Sequence, residues 1–394
     1  MRLSLSLTFL LASTSLAIAE EITLGALKYR ISGCNKELRL FDSDISTAKI
    51  DQKSISVKGL PTLTLDLNGY VNDDPNQSNL IATIPLYTFG AQRAEEMVAE
   101  QKVKLSTALK EQKLQFLTKL VAENLTKLHY TRQKMTALDF YLDRLLELES
   151  IMENRTRAGL AAQAELLEVA NELSSKRTDL TELEKVSLEI QGELRRDNCG
   201  VADLSIRLPE AEKISGNRAS DFNNNADLRV IDLKINVEKS EAEFAKTSGR
   251  PTLNARAIQP IEGKAKIGLS LVYTYENFGR SQKSKVEKQG EILERARREL
   301  TSKETELRET LVMTIEQVDL LSQDLIPALE DHLNILKKTL ESKLRLLDGG
   351  KIDVAEVVNA YQQMSLAELK LLDQKMNMDL GIITVKHMLG LNNS

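Results

Sequence analysis

Long stretches of the chain keep a seven-residue apolar beat. Leu114, Val121, Leu128, Met135 and Leu142 follow one another at steps of seven. Leu293, Leu300 and Leu307 repeat it, and Leu311, Val318 and Leu325 follow. A sustained period of seven predicts helices packed side by side along their length. In four short places the period drops to two. Leu63, Leu65 and Leu67 alternate with Thr64, Asp66 and Asn68, and Leu80, Ala82, Ile84 and Leu86 with Ile81, Thr83 and Tyr87. A strand is expected at 252–259. Ala265, Ile267, Leu269, Leu271 and Tyr273 alternate with Lys266, Gly268, Ser270 and Val272. Period two predicts strands with one apolar face and one polar face.

These elements come in two matched sets. Asn35-Lys36-Glu37-Leu38 resembles Asn225-Ala226-Asp227-Leu228, and each phrase is followed 26 residues later by Pro-Thr-Leu, at Pro61 and Pro251. Each set then reaches a Tyr and a nearby Gly, Tyr87 with Gly90 and Tyr275 with Gly279. A second Gly comes 69 and 71 residues further on, Gly159 and Gly350, followed by Glu165-Leu166 and Glu356-Val357. Five landmarks in one order mark an internal duplication. The halves are expected at 20–205 and 206–394. Each contains a short helix (36–57, 226–247), a strand pair (62–87, 252–273), a long helix of about 60 residues, ~90 Å at 1.5 Å per residue, and a return helix (163–195, 353–390). Asn72 to Asn76 and Pro260 to Gly263 have turn composition. Pro327 predicts a kink or break near 325–327.

The first 19 residues read as a signal peptide: Arg2, an apolar run, and Ala17-Ile18-Ala19 before Glu20. No later segment has the ~20 apolar residues of a spanning helix. The 394 residues carry a net charge of −5, well mixed, which argues against nucleic acid as a partner. With no Trp and 4% aromatic residues, the composition suits packed long helices better than one large globular core. Export makes a disulfide between Cys34 and Cys199 chemically possible, with two buried thiols as the alternative.

Two readings of the strands remain open at this point. One is a half-buried sheet in a soluble domain; the other is the wall of a transmembrane barrel. Four strands cannot close a barrel, and an open edge is forbidden in hydrocarbon, so a membrane reading requires several copies. Two copies give eight strands filled by side chains; three give twelve and room for a channel.

The duplicated phrases, the Tyr-to-Gly strand exits, and Leu325-Ile326-Pro327-Ala328 followed by Gly350-Lys351-Ile352-Asp353-Val354-Ala355-Glu356-Val357-Val358-Asn359-Ala360 resemble the TolC-type outer-membrane efflux and secretion channels over about 22–391. That resemblance implies a mainly α fold with a small β part. Duplicated long-helix hairpins form an α-helical barrel, and four strands per chain contribute to a shared trimeric transmembrane β-barrel. It implies a homotrimer in the outer membrane of a Gram-negative bacterium, surrounded by outer-membrane lipid and reaching into the periplasm. It also implies a periplasmic adaptor (membrane fusion) protein and an inner-membrane transporter as partners.

By the same resemblance, Arg155, Arg157, Gly159 and Leu160 form one adaptor-contacting tip, and Gly349, Gly350 and Lys351, next to Asp348, form the other. Glu356, Asn359, Glu165, Ile352 and Leu347 fall at the entrance constriction. Three copies of Glu165 or Glu356 make acidic rings favouring cations; the alternative role is to complement a helix dipole. Leu347 and Ile352 stand where some relatives carry Tyr and Arg, which leaves an apolar constriction open. In a barrel, Leu63, Leu65 and Leu67 face lipid, and Thr64, Asp66, Asn254, Arg256 and Lys266 face the lumen.

Enzyme chemistry finds no support in the sequence. His129, His332 and His387 have no ligand cluster at metal spacing. No Gly-rich phosphate loop follows a strand, and no Ser sits in a nucleophile elbow. No metal or cofactor is expected. The competing function is a soluble periplasmic coiled-coil adaptor or scaffold, which calls for one helical hairpin between small β-domains instead of two matched halves.

Overall fold

Helix starts in this chain follow from asparagine chemistry. Asn35 holds extended backbone and its side-chain oxygen accepts from Glu37 N at 2.9 Å; Asn225 does the same with Leu228 N at 3.0 Å. Each satisfies an orphan N–H of the first turn. The repeated Asn phrase is therefore a repeated helix start. The computed structural model describes residues 20–66, 79–196, 200–201, 204–208, 222–260, 264–273 and 280–390. The expected signal peptide, Leu67, the turn at 72–76, most of the turn at 260–263 and Cys199 lie outside the described residues.

The order is β1 (Glu20–Ile22), α1 (Leu24–Cys34), α2 (Lys36–Ser56), β2 (Thr62–Asp66), β3 (Asn79–Tyr87), α3 (Ala91–Arg157), α4 (Gln163–Arg196) and β4 (Leu204–Ile206). It continues with α5 (Ala226–Thr247), β5 (Thr252–Pro260), β6 (Lys266–Val272), α6 (Arg280–Leu320), a widened turn (Leu321–Leu325), α7 (Ile326–Asp348) and α8 (Val354–Met388). Each long helical arm is preceded by a short helix and a strand pair and followed by a return helix. Three short elements carry no periodic signal: α1, and the parallel pair β1 and β4, joined Glu20 to Leu204 through Ile22 to Ile206. Cys34 is disulfide-bonded.

The chain packs as two units. One holds β1, β4, α4, α3 from Val121, α7 from Asp331 and α8 to Met376. Val121 and Leu128 of the expected α3 beat are buried, Met135 is half-buried, and the core is completed off that beat by Tyr141, Leu145 and Met152 of α3, Val169 and Leu173 of α4, and Val357 and Tyr361 of α8. The other unit holds α2, the larger sheet, α3 to Leu120, α5, α6 and the end of α8 from Asn377. Leu117, Val230, Val237, Leu311, Ile315, Ile382 and Val385 are buried there.

The expected break at Pro327 takes a different form. The helix widens one turn earlier, over Leu321–Leu325, and continues through Pro327. In an α-helix the proline ring collides with the carbonyl four residues back; the wider turn relieves that conflict. The extra residue also displaces the beat, so that Ile326 is buried where Leu325 was expected.

Candidate functional site

Two places concentrate the residues singled out above. The first is the four-stranded antiparallel sheet, ordered β2-β3-β5-β6. The strand pairs of the two repeats meet at β3 and β5, and β2 and β6 are left as edges. Register settles which side chains share a face, because residues directly opposite lie on the same side. Leu63 faces Ala82, Ala82 faces Ala257, and Ala257 faces Ile267; Ile84, Ala255 and Leu269 form the next row. Leu65, Leu80, Leu253 and Leu271 fall on that same side. The opposite side carries Thr62, Thr83, Arg256 and Gly268 in one row and Asn254 with Ser270 in another. Thr64 and Lys266 share a row with Ile81 and Ile258, and Asp66 lies opposite Asn79.

All five expected lumen residues, Thr64, Asp66, Asn254, Arg256 and Lys266, thus lie on one face, and Leu63 and Leu65 lie on the other. The apolar face is bare within the chain: Leu63 is 69% exposed, Ile267 84%, Leu269 72% and Leu271 64%. Burying one such side chain is worth ~1.5–3 kcal/mol. A face this apolar, next to two unpaired edges, is what an aqueous surface avoids.

The second place is the pair of helix turns after α3 and α7. Both end in the same motif. Gly159 has φ 70° and Gly350 φ 64°, the left-handed region open to glycine. Leu160 N donates to Arg155 O at 2.8 Å and Gly159 N to Thr156 O at 3.0 Å; Lys351 N donates to Leu346 O at 2.9 Å and Gly350 N to Leu347 O at 3.0 Å. These paired bonds satisfy the last carbonyls of each helix. Glu165 and Glu356 then occupy matching first-turn positions, with their N–H groups donating to Ala162 O (3.1 Å) and Asp353 O (3.2 Å).

Side chains join the two turns. Arg155 donates to the Leu347 carbonyl at 3.2 Å. Leu347 itself is buried, so its side chain belongs to the core of the unit; Ile352 is half-buried, and Glu356 and Asn359 are exposed at helical spacing of three. Leu160 is 78% exposed and Arg157 pairs with Glu153 at 3.0 Å. Gly349 and Lys351 are exposed beside Gly350. Lys343 approaches Glu356 twice, at 3.4 Å from its carboxylate and 3.2 Å from its carbonyl, which offsets part of its negative charge.

Above the turns, the two hairpins are held together by polar pairs that a linear reading does not show. The Tyr141 hydroxyl donates to Glu368 at 2.5 Å, Lys134 pairs with Asp373, and Gln362 donates to Glu172. Burial, then the bond to Glu368, then its negative charge push the Tyr141 hydroxyl well above the usual tyrosine range. Beside Tyr141 lies a cleft of about 920 Å³ between α3, α7 and α8, lined by Arg132, Phe140, Arg144, Leu340, Tyr361 and Met364 among others. Among the described residues no cluster of three His, Cys, Asp or Glu side chains could hold a metal, and no described helix is long and apolar enough to cross a membrane.

Residues 51–196 match the model of the outer membrane efflux protein family. No curated protein matches the chain. Among solved structures, the outer membrane protein VceC from Vibrio cholerae is similar at 12% identity and TM-score 0.77, covering 93% of this chain and 96% of its own. The CmeC outer membrane channel of Campylobacter jejuni is similar at 14% identity and TM-score 0.75, over 94% and 86%. The MtrE outer membrane channel of Neisseria gonorrhoeae, in its open state, is similar at 15% identity and TM-score 0.70, over 93% and 88%. The chain therefore resembles the outer membrane efflux protein family in sequence across residues 51–196, and has the fold of the outer-membrane channels across almost its whole length.

Proposed function

We propose that the protein is an outer-membrane channel of the efflux type, a passive exit duct assembled from three copies. The observation that carries this reading is the sheet: one face predominantly apolar and bare, the other carrying Thr64, Asp66, Asn254, Arg256 and Lys266, with both edges unpaired among the described residues. In a bilayer the apolar face meets outer-membrane lipid, and each β6 edge pairs with the β2 edge of the next copy, because hydrocarbon tolerates no open edge. Twelve strands then leave a lumen lined by Thr64, Asp66, Asn254, Arg256 and Lys266.

The helical hairpins extend the duct into the periplasm. Their turns at Gly159 and Gly350 meet an adaptor, which joins the duct to an inner-membrane transporter. Opening requires the second hairpin to part from the first, against the Tyr141–Glu368 and Arg155–Leu347 bonds. A one-step (type I) protein secretion role and drug or metal efflux use the same duct. On this reading the duct is passive, and the inner-membrane transporter drives the substrate. A periplasmic adaptor or scaffold, the competing reading, leaves the bare sheet face without a solvent.

Conductance across planar bilayers tests the duct. Purified protein should insert and conduct with a preference for cations if Glu356 contributes a ring, and Glu356→Gln should weaken that preference. Lys343→Ala should strengthen it, because it removes the neutralising partner. Conductance with no response to either substitution refutes the ring; no conductance at all refutes the duct.

A further inference from the structure

The second long helical arm is not a uniform α-helix. In the turn Leu321–Leu325 the Ile326 N–H donates to the Leu321 carbonyl, five residues back instead of four. Such a turn holds one residue more than an α turn. The burial pattern records the consequence. Leu311 and Val318 are buried seven apart, the next buried seam residue is Ile326, eight further on, and Leu333, Leu340 and Leu347 resume the step of seven. At ~100° per residue, an unbroken helix has its downstream seam turned about 100° from the core.

The first arm has no such turn. It runs as α3 for 67 residues, whereas Arg280 to Asp348 spans 69. The widened turn takes up one of the two additional residues, as an insertion into a heptad pattern must. Its surroundings make it the soft place of the arm. None of its five residues is buried. Just before it, α6 is held firmly: a Cβ on Gly381 of α8 falls 2.7 Å from Val318 Cγ2, so the two helices touch there with no space to spare. Just after it stands Pro327, which withholds an N–H from the ladder.

We propose that Leu321–Leu325 is the flexing point of the second hairpin, a one-residue insertion that sets the α7 seam in register and allows α7 to twist where α3 cannot. The turn's softness stands on its own geometry. Its consequence for opening rests on the channel reading above.

Hydrogen exchange on the full-length protein in detergent tests the softness directly. The amides of Gln323–Ile326 should exchange about tenfold or more faster than those of Arg132–Met135, their counterparts in α3. Equal protection overturns the assignment. Deletion tests the register. Removing Ser322 together with Pro327→Ala should leave a folded protein whose Tm lies within about 5 °C of the parent, while removing Thr339 from α7 should lower Tm by about 10 °C or more. Equal losses, or an unfolded Ser322 deletion, overturn the insertion reading. If the Ser322 deletion folds, its open-channel events in planar bilayers should fall about tenfold; an unchanged open fraction removes the link to opening. If neither protein conducts, the channel reading fails and the exchange result alone decides the flexing point.

Discussion

Tyr141→Phe is the most informative single change in the hairpin region. Tyr141 is buried and its hydroxyl donates to the Glu368 carboxylate at 2.5 Å, joining α3 of the first hairpin to α8 of the second. Phenylalanine keeps the ring packing and removes only that donor. A hydrogen bond to a charged group contributes ~1.5–3 kcal/mol. Glu368 is half-buried, so water replaces part of the loss and about 1–2 kcal/mol is expected per chain. Thermal unfolding followed by helical circular dichroism, with Tyr141→Phe, Glu368→Gln and the double variant, gives the coupling. We expect non-additivity of about 1 kcal/mol. The pH dependence supplies a second check. The folded state raises the Tyr141 pKa, so its contribution is fully present below the unfolded value of about 10 and is lost as pH rises beyond it. Wild type should therefore lose more stability above that pH than Tyr141→Phe. Full additivity of the two substitutions, with parallel alkaline curves, refutes the bond as a link between hairpins.

Other expectations are equally direct. Leu269→Arg, on the bare apolar face, should cost ~2–4 kcal/mol in a bilayer and reduce the heat-resistant oligomer on gels, while Asn254→Ala on the opposite face should leave it intact. Gly159→Ala and Gly350→Ala should each cost ~1–2 kcal/mol in chemical denaturation, because both need positive φ, whereas Gly349→Ala should be near neutral. Burial, then the nearby Lys119 charge, depress the His387 pKa against a smaller opposing effect of Asp227, and its Nδ1 has no hydrogen-bond partner among the described residues. The fold thus favours neutral His387, and its contribution is present above the unfolded value of about 6.5 and lost as pH falls. His387→Gln should flatten that acid loss in a pH series of Tm values. Peptide mapping without reduction should recover Cys34 joined to Cys199; recovery of two alkylatable thiols excludes the pair.

Much of the fold can be read from residues alone, for definite reasons. The duplicated Asn phrases are side-chain N-caps, and the second Gly of each repeat, Gly159 and Gly350, is a left-handed helix end. Each marks a place where backbone geometry demands a particular residue. Strand alternation likewise shows which residues share a face, since the register puts Arg256 and Lys266 on one side and Leu63 and Leu65 on the other. What alternation does not contain is neighbour identity. The β3–β5 pairing that joins the repeats depends on contacts between distant segments. The three-residue strands β1 and β4 are too short to show a period. The widened turn before Pro327 is hidden because a periodic reading assumes 3.6 residues throughout, and one inserted residue moves burial from Leu325 to Ile326. The Lys343–Glu356 and Tyr141–Glu368 contacts join residues whose spacing carries no local signal.

The proposed duct requires three copies to close one barrel in the outer membrane. Fractionation of producing cells, followed by native mass measurement of the detergent-solubilised protein with and without heating, tests it most directly. A three-copy barrel should give outer-membrane protein at three times the chain mass, falling to the chain mass only on heating. A monomer in the soluble periplasmic fraction contradicts it.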